Sequence, residues 1–70
     1  MLILTRERLL RGWSKAELAR RARINQVTVG QIELGVLRPY ASQLRKLAKA
    51  LKWDSDPTQL VENAEPNEEA

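Results

Sequence analysis

Apolar side chains recur along most of this chain at intervals of three and four residues, and nowhere do they alternate as a half-buried strand requires. The pattern predicts helices. The first is expected over about Thr5 to Arg11, with Leu9 and Leu10 apolar and Gly12 as its stop. Ser14-Lys15-Ala16-Glu17 has the form of a capping box, so a second helix starts there. Leu18, Ala19 and Ala22 form its inner face, Lys15, Arg20 and Arg21 point outward, and it stops near Ala22 or Arg23. Asn25 caps a third helix over about Gln26 to Leu34, closed by Gly35. Val29 and Ile32 face inward there, with Leu34 or Val36 near the end.

Arg38 precedes Pro39 and is therefore expected to be extended or turn-like. A fourth helix is predicted over about Ala41 to Leu51, where Leu44, Leu47, Ala48 and Leu51 make one stripe at i, i+3, i+4 and i+7. Arg45, Lys46, Lys49 and Lys52 lie off that stripe. Asp56-Pro57-Thr58-Gln59 has an acidic cap, proline at the first position and Gln three residues after the cap, which predicts a last short helix carrying Leu60 and Val61. The expected division is a single all-α domain over 1–62 and an acidic, disordered tail over 63–70.

Composition narrows the chemistry. With 70 residues there is room for one modest core. The chain has no cysteine and no histidine, which removes disulfides, thiolate metal sites and the commonest acid–base residue. No convergent acids, nucleophile or phosphate-cradling loop suggests an enzyme, and no cofactor or metal is expected. Met1-Leu2-Ile3-Leu4 is too short an apolar run for a signal peptide, and no later run reaches membrane-spanning length. A soluble cytoplasmic protein is expected.

Charge is divided along the chain. All twelve basic residues and only three acids, Glu7, Glu17 and Glu33, lie in residues 1–53, while residues 54–70 hold six acids and no base. A strongly basic folded part with an acidic tail points to a polyanionic partner such as nucleic acid. The second and third predicted helices are joined by just Arg23-Ile24-Asn25, too short a link for antiparallel packing. It forces the steep crossing of a helix-turn-helix. Ala19 is small enough to let the third helix approach, and Ile24 can plug the corner.

At this point the chain resembles the lambda-repressor-like (Cro/repressor, XRE) helix-turn-helix family over roughly Leu4 to Leu51. The resemblance rests on Arg8, Gly12-Trp13-Ser14, Leu18-Ala19, Ile24, Val29, Ile32-Glu33, Gly35, Pro39, Leu44, Leu47-Ala48 and Leu51. It implies a compact bundle of four or five helices acting as a homodimer on pseudo-palindromic DNA, with the third helix as recognition helix. Gln26 then sits where the family commonly sets a glutamine against adenine, a two-point match to N6 and N7. Val27 against a thymine methyl, Gln31 and Thr28 complete the base-reading candidates. Lys15 stands where the family usually has a glutamine on phosphate; Asn25, Arg38 and Tyr40 are further backbone candidates. Arg8 and Glu33 resemble the family's internal salt bridge. Arg11, Arg20, Arg21 and Arg23 read as solvated charges exerting a general pull.

Four departures accompany the match. Arg23 replaces the glycine usual at a left-handed corner, Gly30 interrupts the recognition helix, Tyr40 replaces a serine cap, and Leu51 to Leu60 is about two residues longer than usual. Trp53, Leu60 and Val61 are candidates for a dimer interface, Trp53 equally for a lid over Leu47 and Leu51. The expected function is sequence-specific transcriptional regulation, as a repressor. The alternatives are an antitoxin whose acidic tail engages a toxin, and a protein-interaction module on the same fold.

Overall fold

A computed structural model describes residues 1–64. Four α-helices, α1 (Ile3–Leu10), α2 (Lys15–Ala22), α3 (Gln26–Leu34) and α4 (Ala41–Leu51), are followed by one 3₁₀ helix over Pro57–Val61. Among the described residues the only β pairing is an isolated antiparallel bridge between Leu2 and Asn63. The protein is thus an all-α bundle, and no described helix is long and apolar enough to cross a membrane.

Local chemistry accounts for most of the helix boundaries. Ser14 Oγ accepts from the Glu17 N–H at 3.0 Å, capping α2. The return bond of a capping box is replaced: the Glu17 carboxylate instead holds Arg20 and Arg21, one turn on, at 2.5 Å each. Asn25 Oδ1 accepts from the Val27 N–H at 2.7 Å, and α3 ends at Gly35 with φ 80°. Tyr40 has no hydroxyl within reach of the first turn of α4, so the cap is made the other way round, with its N–H donating to Gln43 Oε1 at 2.8 Å.

Three expectations are corrected. α1 begins two residues before Thr5, because the Ile3 N–H donates to Glu62 O at 2.9 Å and the first turn is anchored by the far end of the chain. Its inner positions are Leu4 and Arg8; Leu9 and Leu10 are exposed. At the end of α3, Leu34 and Val36 are 74% and 71% exposed instead of inward. Leu34 falls on the outer face with Val27 and Gln31, at i, i+4 and i+7, and Val36 follows the left-handed turn at Gly35.

Leu4, Leu18, Val29, Ile32, Leu47, Leu51 and Leu60 fill the core, with Ala19, Ala22 and Ala48 at the close helix approaches. Leu60 is fully buried inside the domain and has no surface to offer a second copy, which removes it from the expected dimer interface. The 3₁₀ helix is a single tight turn in which Asp56 Oδ1 accepts from the N–H and hydroxyl of Thr58, at 3.0 and 2.8 Å. Trp53 and Val61 pack partly buried against the core, and Trp53 Nε1 donates to Asp56 O at 3.1 Å. The ordered body extends past residue 62, since the Ala64 N–H donates to Met1 O at 2.8 Å and Asn63 pairs with Leu2. The remainder of the expected tail lies outside the described residues.

Candidate nucleic-acid interface

The link between α2 and α3 is built from three different backbone states. Arg23 is left-handed at φ 57°, ψ 46°, which reverses the chain at the end of α2. The Ile24 N–H then returns to Ala19 O at 2.9 Å, while the Ile24 side chain packs on the core. Asn25 is extended and caps α3. Because Ala19 has no side chain beyond Cβ, α3 lies close across α2. Val29 and Ile32 hold α3 down, so its opposite side stands clear of the body.

That outer side has two zones. Gln26, Val27 and Gln31 are exposed toward its N-terminal half, Val27 to 66%. Thr28 is partly buried on the flank. The C-terminal zone is apolar, made by Leu34 and the following Val36. Lys15 at the start of α2, Asn25 at the turn, and Arg38 and Tyr40 in the segment after α3 are all exposed.

A helix-turn-helix family model matches residues 4–55, from α1 to just beyond α4. The chain belongs to the lambda-repressor-like helix-turn-helix family. No curated protein and no solved structure was found to match it. The family is one of DNA-binding transcription regulators and is not an enzyme family.

In this helix-turn-helix protein the ion pairs sort the basic residues into two groups. Glu7 binds Arg6 at 3.0 Å and Arg11 at 2.8 Å, Glu17 binds Arg20 and Arg21, and Glu33 binds Arg8. Hydrogen bonding from Arg11 holds the Glu7 carboxyl below its usual range, and Arg20 followed by Arg21 does the same for Glu17. Lys15, Arg23, Arg38, Arg45, Lys46, Lys49 and Lys52 have no ion-pair partner among the described residues. Lys15, Arg23 and Arg38 belong to the start of α2, the turn and the loop after α3.

Of Arg11, Arg20, Arg21 and Arg23, expected as solvated charges, the first three are engaged within the domain. Arg11 donates to Glu7 and to the Leu51 carbonyl at the end of α4, while the Arg21 guanidinium lies 4.3 Å from the Trp13 ring centroid. The spacings Glu7–Arg11 and Glu17–Arg21, both i,i+4, were the available signal. Arg8 does more than pair with Glu33. Its Nε and Nη2 bond Glu33 at 2.8 and 3.0 Å, and Nη1 donates to Trp13 O at 2.8 Å, so one guanidinium ties α1, the loop before α2, and α3. Among the described residues no three His, Cys, Asp or Glu side chains form a metal-holding group.

Proposed function

We propose that this protein reads double-stranded DNA in a sequence-specific manner as a transcriptional repressor, with α3 in the major groove. The observation that carries the reading is the exposed, hydrogen-bonding N-terminal half of α3, bordered by cations with no acidic partner among the described residues. Gln26 can donate to N7 and accept from N6 of one adenine, which few side chains match. Val27 packs on a thymine methyl, Gln31 reads a base one turn further on, and Thr28, on the flank, reaches a base edge or phosphate. Lys15, Asn25, Arg38 and Tyr40 hold the phosphate backbone and set the register. Occlusion of the occupied site would then be the means of repression.

One α3 helix contacts too few base pairs to select a site, so two copies act together on half-sites about one helical turn apart. Selection from a random duplex library, followed by a salt titration on the recovered site, tests this. An inverted repeat is expected. If Lys15, Arg23 and Arg38 each neutralise a phosphate in both copies, log K should fall against log salt with a slope of about −5. Binding that is salt-sensitive but indifferent to sequence would overturn the reading.

A further inference from the structure

Leu44, Leu47, Ala48 and Leu51 turn one side of α4 into the core, and the other side carries Arg45, Lys46 and Lys49, followed by Lys52 at the cap. All four cations are exposed, and α4 contains no acid. In α1 and α2 an arginine stands one turn from a glutamate that binds it, Arg11 on Glu7 and Arg21 on Glu17. On α4 the neighbours one turn apart are alike in sign, Arg45 with Lys49 and Lys46 with Lys49. Such pairs repel and weaken a helix. Asp54, Asp56 and Glu62 make no ion pair among the described residues, so they leave this charge unopposed. None of the four cations belongs to the set assigned to phosphate, Lys15, Asn25, Arg38 and Tyr40.

We propose that residues 65–70 of this chain, Glu65-Pro66-Asn67-Glu68-Glu69-Ala70, lie back along that face of α4, with Glu65, Glu68 and Glu69 set against its cations. The segment starts from a fixed point, since the Ala64 N–H donates to Met1 O at 2.8 Å and Asn63 pairs with Leu2. That point follows directly on the 3₁₀ helix, which packs on α4 and brings Pro57 and Thr58 beside Ala41 and Arg45. Six extended residues reach about 20 Å, and α4 is about 16 Å long. Extended chain sets Glu65 and Glu69 about 13 Å apart; Arg45 and Lys52 stand about 10 Å apart along the helix axis. Exposed ion pairs are individually weak, but a tethered segment meets its target at an effective concentration on the order of millimolar. Three such pairs can then act together. The contact itself does not depend on α3 reading DNA, but its purpose rests on that reading. An open face of four cations would draw any duplex regardless of sequence. Covered by the acids, it leaves the unpaired cations around α3 to set the pull.

The chain has no cysteine, so Ala70→Cys gives the full-length protein a single attachment site for a nitroxide spin label. At low salt the label is expected to broaden the amide resonances of residues 45–52 more strongly than any in α3. Replacing Glu65, Glu68 and Glu69 together by Gln should abolish that preference, as should 1 M salt, where the screening length falls to about 3 Å. Without the label, the same triple replacement should bind duplex of random sequence at least about ten-fold more tightly at low salt, with a salt slope steeper by about three. In a background carrying Arg45→Gln, Lys49→Gln and Lys52→Gln, that gain should shrink below about two-fold. Strongest broadening on α3, broadening that survives loss of the acids, or none at all would overturn the proposal. An equal gain in both backgrounds would reveal a general charge effect and overturn the shielding role. Broadening centred on α4 while no variant binds any duplex would leave the contact standing and remove the DNA reading.

Discussion

Arg8 of α1 and Glu33 of α3 meet as a forked ion pair, Nε to Oε2 at 2.8 Å and Nη2 to Oε1 at 3.0 Å, with their side chains only 10% and 5% exposed. The third arm of the fork goes to the Trp13 carbonyl. A charge so enclosed is tolerable only while its partner is present, so removing one member strands the other. Arg8→Ala or Glu33→Gln should cost about 3–5 kcal/mol in urea unfolding, a large share of a small domain's stability. Replacing both by methionine should recover most of that loss, because no charge is then left buried. A loss under about 1 kcal/mol for Arg8→Ala would show that the pair is not holding α1 to α3.

Gly30 sits in the middle of α3 with negative φ, and a Cβ added there would meet nothing within 4 Å. Close approach by α2 is therefore not its purpose. Gly30→Ala should stabilise the fold by about 0.5–1 kcal/mol through helix propensity alone. If affinity for the selected DNA falls while the urea midpoint rises, the glycine is making room for the duplex. An unchanged affinity would mean it is merely tolerated.

Arg23 holds a left-handed backbone with φ 57° at the corner between α2 and α3. Arg23→Gly relieves that conformation, partly offset by greater freedom of the unfolded chain, so a net gain of up to about 1 kcal/mol is expected. The same change deletes a cation at the turn and should reduce the salt slope of DNA binding by about one per copy. Stability and salt dependence should thus move separately, which urea titration and binding at several salt concentrations will show.

Glu7, Glu17 and Asp56 all have carboxyls lowered in the fold from usual values of 4.5, 4.5 and 3.8, the first two by arginine hydrogen bonds and the third by the Thr58 N–H. A depressed carboxylate adds stability above its unfolded value and loses it as pH falls through the folded one. The urea midpoint should hold steady from pH 7 to about 5 and decline below about 4.5. With no histidine in the chain, no side chain of that type titrates between pH 5 and 8. A midpoint that stayed level down to pH 3 would contradict these assignments.

The parts of the fold governed by short-range chemistry were legible in the sequence. Asn25 and Gly35 bounded α3, and the stripe Leu44, Leu47, Ala48 and Leu51 placed α4 residue for residue. What escaped depends on partners distant in the chain. The family resemblance supplied the pairing of Arg8 with Glu33, twenty-five residues away, but not the bond from the same guanidinium to the Trp13 carbonyl. The start of α1 and the pairing of Asn63 and Ala64 depend on the two ends meeting. Leu34 and Val36 look inward by composition, yet the turn at Gly35 and the register of α3 leave them outside. At the interface the family pattern pointed to the outer residues of α3. Which arginines remain unpaired became visible only when the ion pairs could be traced.

Base reading by α3 makes Gln26 the reader of one base in each half-site. Its most direct test measures wild type and Gln26→Ala against the selected site and every single-base variant of it, with Lys15→Ala as a comparison. Gln26→Ala should lose about 1–3 kcal/mol on the selected site and lose discrimination at one position per half-site, while Lys15→Ala weakens all duplexes alike. If Gln26→Ala keeps both the affinity and the base preference of wild type, α3 does not read DNA in the manner described.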